Sequence, residues 1–242
     1  MSSMKLSASG LGAWSHAPVA VVIGDVVASR VAADRADLHE RLAAAVAGSN
    51  LATGPLTPWR ITVGDEFQGA FAGVGEALHA VLLLRTALAG EPAGASDGTP
   101  DGPEPEPVDV RFGVGWGPVA TLADEPRVED GPGWWAAREA VEEVKRAARR
   151  AGFRHRRTAY RRSEGVPGPD PDLVNAALLC QDEVVGSASP RSLRLLGGLL
   201  QGRPQADLAA AEGVSASAVS QRVRHDGLAV VVAADALLRR VT

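Results

Sequence analysis

The run Pro18-Val-Ala-Val-Val-Ile-Gly24 limits more than any other feature what this chain can fold into. It is continuously apolar, rich in valine and closed by Gly24-Asp25, as expected of a strand buried on both faces. Everything downstream must therefore help to cover a sheet. A helix follows, with Asp34 or Asp37 as its cap and Leu38, Leu42, Ala45 and Val46 on one face. Gly48 to Pro58 reads as a turn-rich linker. Trp59 to Val63 and Phe67 to Phe71 are two strands of a hairpin whose tip is Gly64-Asp65-Glu66. Gly75 to Ala89 is helical, Val108 to Val119 returns to strand, Trp134 to Arg150 is helical, and Arg157 to Tyr160 is a last short strand.

That order, strand–helix–hairpin–helix–strand–helix–strand, predicts an α+β sandwich on a ferredoxin-like or palm-like plan. Residues 163–172 (SEGVPGPDPD) mark a boundary, and beyond them the pattern is helical throughout. The expected organisation is a loose leader over 1–17, a sandwich over 18–162, a connector helix over 163–188 and an all-α helix-turn-helix domain over 189–242. Residues 90–107 form a Gly/Pro/acid-rich surface loop.

The 242 residues include one cysteine, Cys180, so no internal disulfide is available and a reducing, cytoplasmic setting is expected. No apolar run approaches the length of a membrane span, and the N-terminal segment lacks the apolar core of a signal peptide. The net charge of −4 conceals a segregation. Residues 1–143 carry 9 basic and 20 acidic side chains, 144–162 carry 9 basic and none acidic, and 163–242 carry 7 and 9. One short basic band in such a chain points to separate pieces with separate partners.

Asp25 ends the first strand and Asp65 sits at the hairpin tip, points that lie side by side in a palm-like sheet. Two carboxylates there would hold a divalent ion, and all-oxygen ligation favours magnesium or manganese. Such a pair serves phosphoryl transfer. Glu66 is a further ligand or a general base. The stretch Val26 to Arg30, with Ser29 inside it, offers backbone N–H groups to phosphate oxygens and Arg30 as a charge partner. The plain alternative is that aspartate beside glycine is simply a turn residue. Trp116, Trp134 and Trp135 are either core or base-stacking residues, and the adjacent Trp134 and Trp135 cannot face the same way.

The segments IGDVVASR (23–30), ITVGDEFQGAF (61–71), VRFGVGWGPVA (110–120) and DGPGWWAAREAVEEVK (130–145) follow in one order. In that order they resemble blocks of the class III nucleotidyl cyclase and GGDEF diguanylate cyclase superfamily. Over nearly its whole length the chain is similar to the SatD family, which joins such a domain to a helix-turn-helix. The resemblance implies that Asp25 and Asp65 are metal-binding aspartates. It also implies that Arg138 is the arginine stabilising a triphosphate in the transition state. Trp134 stands where cyclases place asparagine, Ile61 stands where they place a purine-reading lysine, and the first glycine of the GGDEF signature is replaced by Val63. Metal ligands kept while catalytic and base-reading groups are lost imply nucleotide binding rather than turnover. Glu66 and Arg138 are catalytic residues only in the alternative, an active metal-dependent nucleotidyl cyclase or nucleotidyltransferase.

The tail contains a second motif, Gln205 to Arg224. Leu208 and Ala209 pack a first helix, Gly213 takes a left-handed turn, Val214 plugs the corner and Ser215 caps the next helix. Val219 and Val223 face inward, which leaves Ser217, Ser220, Gln221, Arg222 and Arg224 for a DNA major groove. The segment also resembles the tail of sigma factor region 4. A helical bundle for protein contact is the alternative. The basic band, Lys145 to Arg162, touches phosphate backbone, neutralises the phosphates of a nucleotide or balances the acidic sandwich. The expected function is a DNA-binding transcription regulator with double-stranded DNA and a nucleotide as ligands and no membrane partner. The helix over Leu173–Val185 offers a homodimer seam that the sequence permits without requiring.

Overall fold

The computed structural model describes residues 17–27, 35–62, 65–88, 108–125 and 127–242. The expected leader, the 90–107 loop and the Asp34 cap therefore lie outside the described residues, apart from Ala17 at the leader's end. Strand β1 (Val19–Val26) is the centre of a five-stranded sheet. The other four strands are β2 (Thr57–Ile61), β3 (Glu66–Phe71), β4 (Val110–Gly117) and β7 (Thr158–Arg162). Their order is β2-β3-β1-β4-β7, antiparallel except for the parallel pair β4/β7. Helices α1 (Arg35–Thr53) and α2 (Val74–Ala87) complete a β-α-β-β-α-β unit, and α3 (Pro132–Ala147) makes the crossover from β4 to β7. Apart from a small hairpin after β4, the strand–helix order of the sandwich is the one expected from the sequence. No helix among the described residues is long and apolar enough to cross a membrane.

The period of two along β1 divides its side chains between the layers. Ala20, Val22 and Val26 join the core under α1 and α2, where Trp59, Phe67, Phe71 and Phe112 meet at ring-centroid distances of 5.3–5.9 Å. Val21 and Ile23 point the other way, into a core with Trp134, Ala137 and Val141 of α3. Along β4 the residues facing α3 are Arg111, Gly113, Gly115 and Gly117. A Cβ at Gly113 would collide with backbone atoms of Ala137 and Val141, and one at Gly115 with those of Gly133 and Ala137. The glycine stripe lets α3 lie directly on the sheet, which fixes what its polar residues can reach.

Two local expectations differ from what is observed. The first helix runs on to Thr53 through the stretch expected to be a linker. Asn50 explains the extension: its side chain accepts from the Trp59 N–H at 2.7 Å and donates to the Trp59 carbonyl at 3.1 Å, fastening the helix end to β2. A small hairpin, β5 (Ala120–Asp124) and β6 (Arg127–Asp130), also follows β4. It is largely exposed and so carries no apolar alternation to betray it. Glu129 ties it to the sheet edge through Thr57 and Arg60.

Five helices make the tail: α4 (Pro171–Ser187), α5 (Pro190–Leu200), α6 (Gln205–Ala211), α7 (Ala216–His225) and α8 (Leu228–Leu238). Asp170, Ser189 and Ser215 cap α4, α5 and α7 through their side chains. The tail packs against the sandwich through α2, which is buried on nearly every side. Leu82 of α2 shares a core with Leu195, Leu196, Val219, Val223 and Leu228. His79 meets both carboxylate oxygens of Asp235 at 2.9 and 3.0 Å, and Arg85 pairs with the buried Asp182. On α4, Leu178 and Val185 are buried within the chain itself, Ala177 is half-buried and Leu173 is 75% exposed, so half of the apolar face Leu173, Ala177, Leu178 and Val185 considered as a dimer seam is already covered.

Candidate functional site

The β1 register brings charged groups together at one end of the sheet. Asp25 lies opposite Glu66 on β3 and opposite Arg111 on β4, so all three side chains share the face under α3. Arg138, Glu142 and Lys145 lie at successive turns of α3 above them. Arg138 grips Glu66 with two hydrogen bonds, 2.7 and 2.9 Å long. Lys145 Nζ lies 3.1 Å from both Asp25 Oδ1 and Glu142 Oε1, and Arg111 Nη1 is 3.5 Å from Asp25 Oδ2. The Arg138 hydrogen bonds hold Glu66 below the usual carboxylate range against burial, and Arg138 is raised in turn. Burial alone would pull the Lys145 ammonium down, but its bonds to Glu142 and Asp25 raise it.

Asp25, Asp65, Glu66 and Arg138 are therefore gathered at one end of the sheet. Asp65 is tied to β1 through its carbonyl, which accepts from the Val26 N–H at 3.3 Å. That bond uses the Val26 donor expected to serve a phosphate, and the Val27 N–H is likewise given to the Asp109 carbonyl at 2.8 Å. Ser29 and Arg30 lie outside the described residues. Among the described residues no group of three or more His, Cys, Asp or Glu side chains could hold a metal ion. The donors that are present, the carboxylates of Asp25 and Asp65, are hard oxygen ligands. Such oxygens are the donors a magnesium-type ion takes, but both Asp25 oxygens are here given to Lys145 and Arg111. Trp134 packs against Val21 and Ile23, and Trp116 is buried with its Nε1 donating to the Pro167 carbonyl at 2.9 Å. Neither is a base-stacking surface. Trp135 is half exposed and donates to Asp130.

In the tail, Gly213 adopts φ +64° and Val214 N–H donates to the Ala209 carbonyl, which closes the turn from α6 to α7. Val219 and Val223 are buried. Ser217, Gln221 and Arg224 are exposed, whereas Ser220 and Arg222 are half-buried. Arg222 turns back toward α5, within 3.3 Å of the Ser189 and Ser192 hydroxyls and 3.7 Å of Asp226. Asp226 is held below its usual range, chiefly by the Ser192 hydroxyl at 2.6 Å. An open groove of about 500 Å³ runs between α5 and α7, past Arg191, Leu195, Val214, Ala218 and Gln221.

No protein-family model matches the chain, and no curated protein matches it. Among solved structures it is similar to the catalytic core of a rhodopsin-guanylyl cyclase with converted specificity, in complex with ATPαS. The identity is 18% over 52% of this chain and 71% of that one, and the TM-score of 0.38 is too low to establish a shared fold.

Reading the sequence alone did not find Arg111 as a site residue, and it assigned Lys145 only to the basic band. The signal for Lys145 was its position seven residues after Arg138, two helical turns along the same face. Arg111 carried no such signal, because only the β1/β4 register sets it against Asp25.

Proposed function

We propose that the chain is a DNA-binding regulator whose α+β sandwich takes up a nucleotide together with a divalent ion. In this reading residues 18–162 are the nucleotide unit, 163–188 the connector and 189–242 a helix-turn-helix unit. The observation that carries it is the seating of α7. A left-handed glycine turn and a serine cap position it, two valines anchor it, and Ser217, Gln221 and Arg224 are left exposed in a row suited to a major groove.

The sandwich supports the nucleotide half of the reading through its charges. Arg111, Arg138 and Lys145 converge where phosphates would be held, each now balanced by Asp25, Glu66 or Glu142. A nucleotide would exchange these internal pairs for pairs to its phosphates. Asp25 and Asp65 would hold the ion, and magnesium or manganese would there neutralise phosphate oxygens. The pairing of Glu66 with Arg138, and the burial of Trp134 in the core, favour binding over the cyclase-like turnover that the resemblance also implies.

The deciding experiment is enrichment from a random-sequence duplex pool by the full-length protein. It is followed by affinity measurement on the enriched duplex with wild type and Gln221→Ala/Arg224→Ala. A loss of sequence preference in the variant is the expected result, and unchanged preference overturns the α7 assignment. Incubation with labelled nucleoside triphosphates and manganese tests the sandwich. Turnover that Asp65→Asn abolishes would replace the binding reading by the enzymatic one.

A further inference from the structure

The nine basic residues of 144–162 are divided by the fold into two sets. Lys145 goes to Asp25 and Glu142, Arg156 and Arg161 pair with Glu143, and Arg157 takes Asp109 in a two-point pair. Arg162 donates to the Gly168 carbonyl. The other four, Arg146, Arg149, Arg150 and Arg154, are exposed, and among the described residues none has a carboxylate partner. Arg146 lies in the last turn of α3, and Arg149 and Arg150 follow in the turn just after it. Lys145, Arg156, Arg157 and Arg161 are neutralised at short range by acids on β1, on α3 and just before β4, and Arg162 is engaged by a carbonyl. This ridge is left uncompensated.

The DNA reading leaves a matching deficit. Residues 163–242 carry more acidic than basic side chains. Arg191 and Arg194 pair with Glu212, and Arg222 folds back on Ser189, Ser192 and Asp226. The exposed arginine on α7 is Arg224. One exposed arginine on α7, with Arg203, Arg239 and Arg240 exposed elsewhere on a net-acidic unit, is little charge to set against a duplex that carries a phosphate about every 1.7 Å.

Position connects the ridge to the deficit. The segment that carries Arg154 lies on the C-terminal half of α4, where a groove of about 440 Å³ is lined by Phe153, Arg156, Leu179 and Glu183. A Cβ at Gly186 would come within 2.6 Å of His155 Cβ. The same half of α4 also holds the α7–α8 turn, with Val184, which lines that groove too, 3.5 Å from the Cβ position of Gly227. The chain around Arg154 and the turn that ends α7 therefore pack on the same half of one helix. Half of this 17-residue helix is about 12 Å long, well inside one turn of duplex, about 34 Å.

We propose that Arg146, Arg149, Arg150 and Arg154 form a phosphate-binding ridge that grips the backbone of duplex DNA beside the site read by α7. The proposal rests on the DNA-binding reading above. Duplex is the partner argued for because the ridge offers forked guanidinium donors without a row of rings. Phe153 is the one exposed aromatic among these arginines, whereas platforms for single strands stack successive bases on several.

The test is a salt series on a labelled random-sequence duplex with full-length wild type. It is repeated with the fourfold variant Arg146→Ala/Arg149→Ala/Arg150→Ala/Arg154→Ala and with the same four positions changed to lysine. The alanine variant is expected to flatten the slope of log Kobs against log salt by about three to four, at roughly 0.9 per phosphate contact. The lysine variant should keep most of the slope, and thermal melting of both should match wild type because all four side chains are exposed. An unchanged slope in the alanine variant overturns the ridge, whatever α7 does. Gln221→Ala/Arg224→Ala in the same series separates the two ideas: a ridge effect with no α7 effect removes the α7 reading and leaves the ridge. Tight binding of single-stranded RNA with none to duplex overturns the choice of partner.

Discussion

Replacing Asp182 by alanine should undo the joint between the tail and the sandwich. Asp182 is 1% exposed on α4 and accepts from Arg85 of α2, from the N–H groups of Arg157 and Thr158 at 2.7 Å each, and from the Thr158 hydroxyl at 3.3 Å. Removing it leaves the Arg85 guanidinium, whose side chain is 10% exposed, without its counter-ion. It also leaves two backbone donors without an acceptor. Breaking a buried pair in this one-sided way costs about 3–5 kcal/mol, and the orphaned donors are part of that figure because they share one carboxylate. Taking about 4 kcal/mol, and about 2–4 °C per kcal/mol for a chain of this size, the melting temperature should fall by about 8–16 °C. Calorimetry and urea unfolding read the loss directly. Arg85→Met on the Asp182→Ala background should recover part of it, giving a coupling energy of more than about 1 kcal/mol in the double-mutant cycle. A single-mutant loss below about 1 kcal/mol, or strict additivity, would refute the claim that this carboxylate holds the two parts together.

Three further outcomes follow from other contacts. Gly75→Ala should destabilise by about 1–3 kcal/mol, because the new Cβ would meet the Leu238 carbonyl oxygen at 2.5 Å and Arg239 backbone at 2.7 Å. Gly48→Ala, exposed in α1 with nothing within 4 Å, should instead stabilise by about 0.5–1 kcal/mol, and chemical unfolding of the pair checks both signs. Tyr160 is the sole tyrosine, and burial pushes its phenol to about 12, so phenolate absorbance in the native state should titrate near there rather than near 10. Its raised value means that its stabilising contribution is present below pH 10 and is lost as pH rises toward 12. Glu66 has the opposite sign: its lowered value gives stability that is present above pH 4.5 and lost as pH falls through the native value. Arg138→Met should therefore cost about 0.5–1 kcal/mol near neutrality, modest because Arg138 is about half exposed, and the gap to wild type should close in acid.

The strand order was legible because each strand that builds the central sheet carries a local signature. The valine-rich β1 and the glycine-tipped hairpin of β2 and β3 could be recognised from a few neighbouring residues. The same holds for the tail: Gly213, Ser215, Val219 and Val223 declare a turn, a cap and an apolar face within twelve residues. The β5–β6 hairpin was not legible, because exposed strands held by one glutamate leave no pattern.

At the candidate site the division is sharper. The sequence by itself marked Asp25, Asp65 and Glu66 as the residues able to carry chemistry, since residue type and spacing are local properties, and the resemblance to cyclases added Arg138. Only the tertiary structure decided which of them meet. Register set Asp25 against Glu66 and Arg111, and the glycine stripe of β4 brought α3 close enough for Arg138 and Lys145 to neutralise them. Folding likewise divided a uniform basic band into paired and unpaired arginines. Charge neutralisation depends on distances of a few ångströms between residues up to 120 positions apart, and no local pattern encodes those distances.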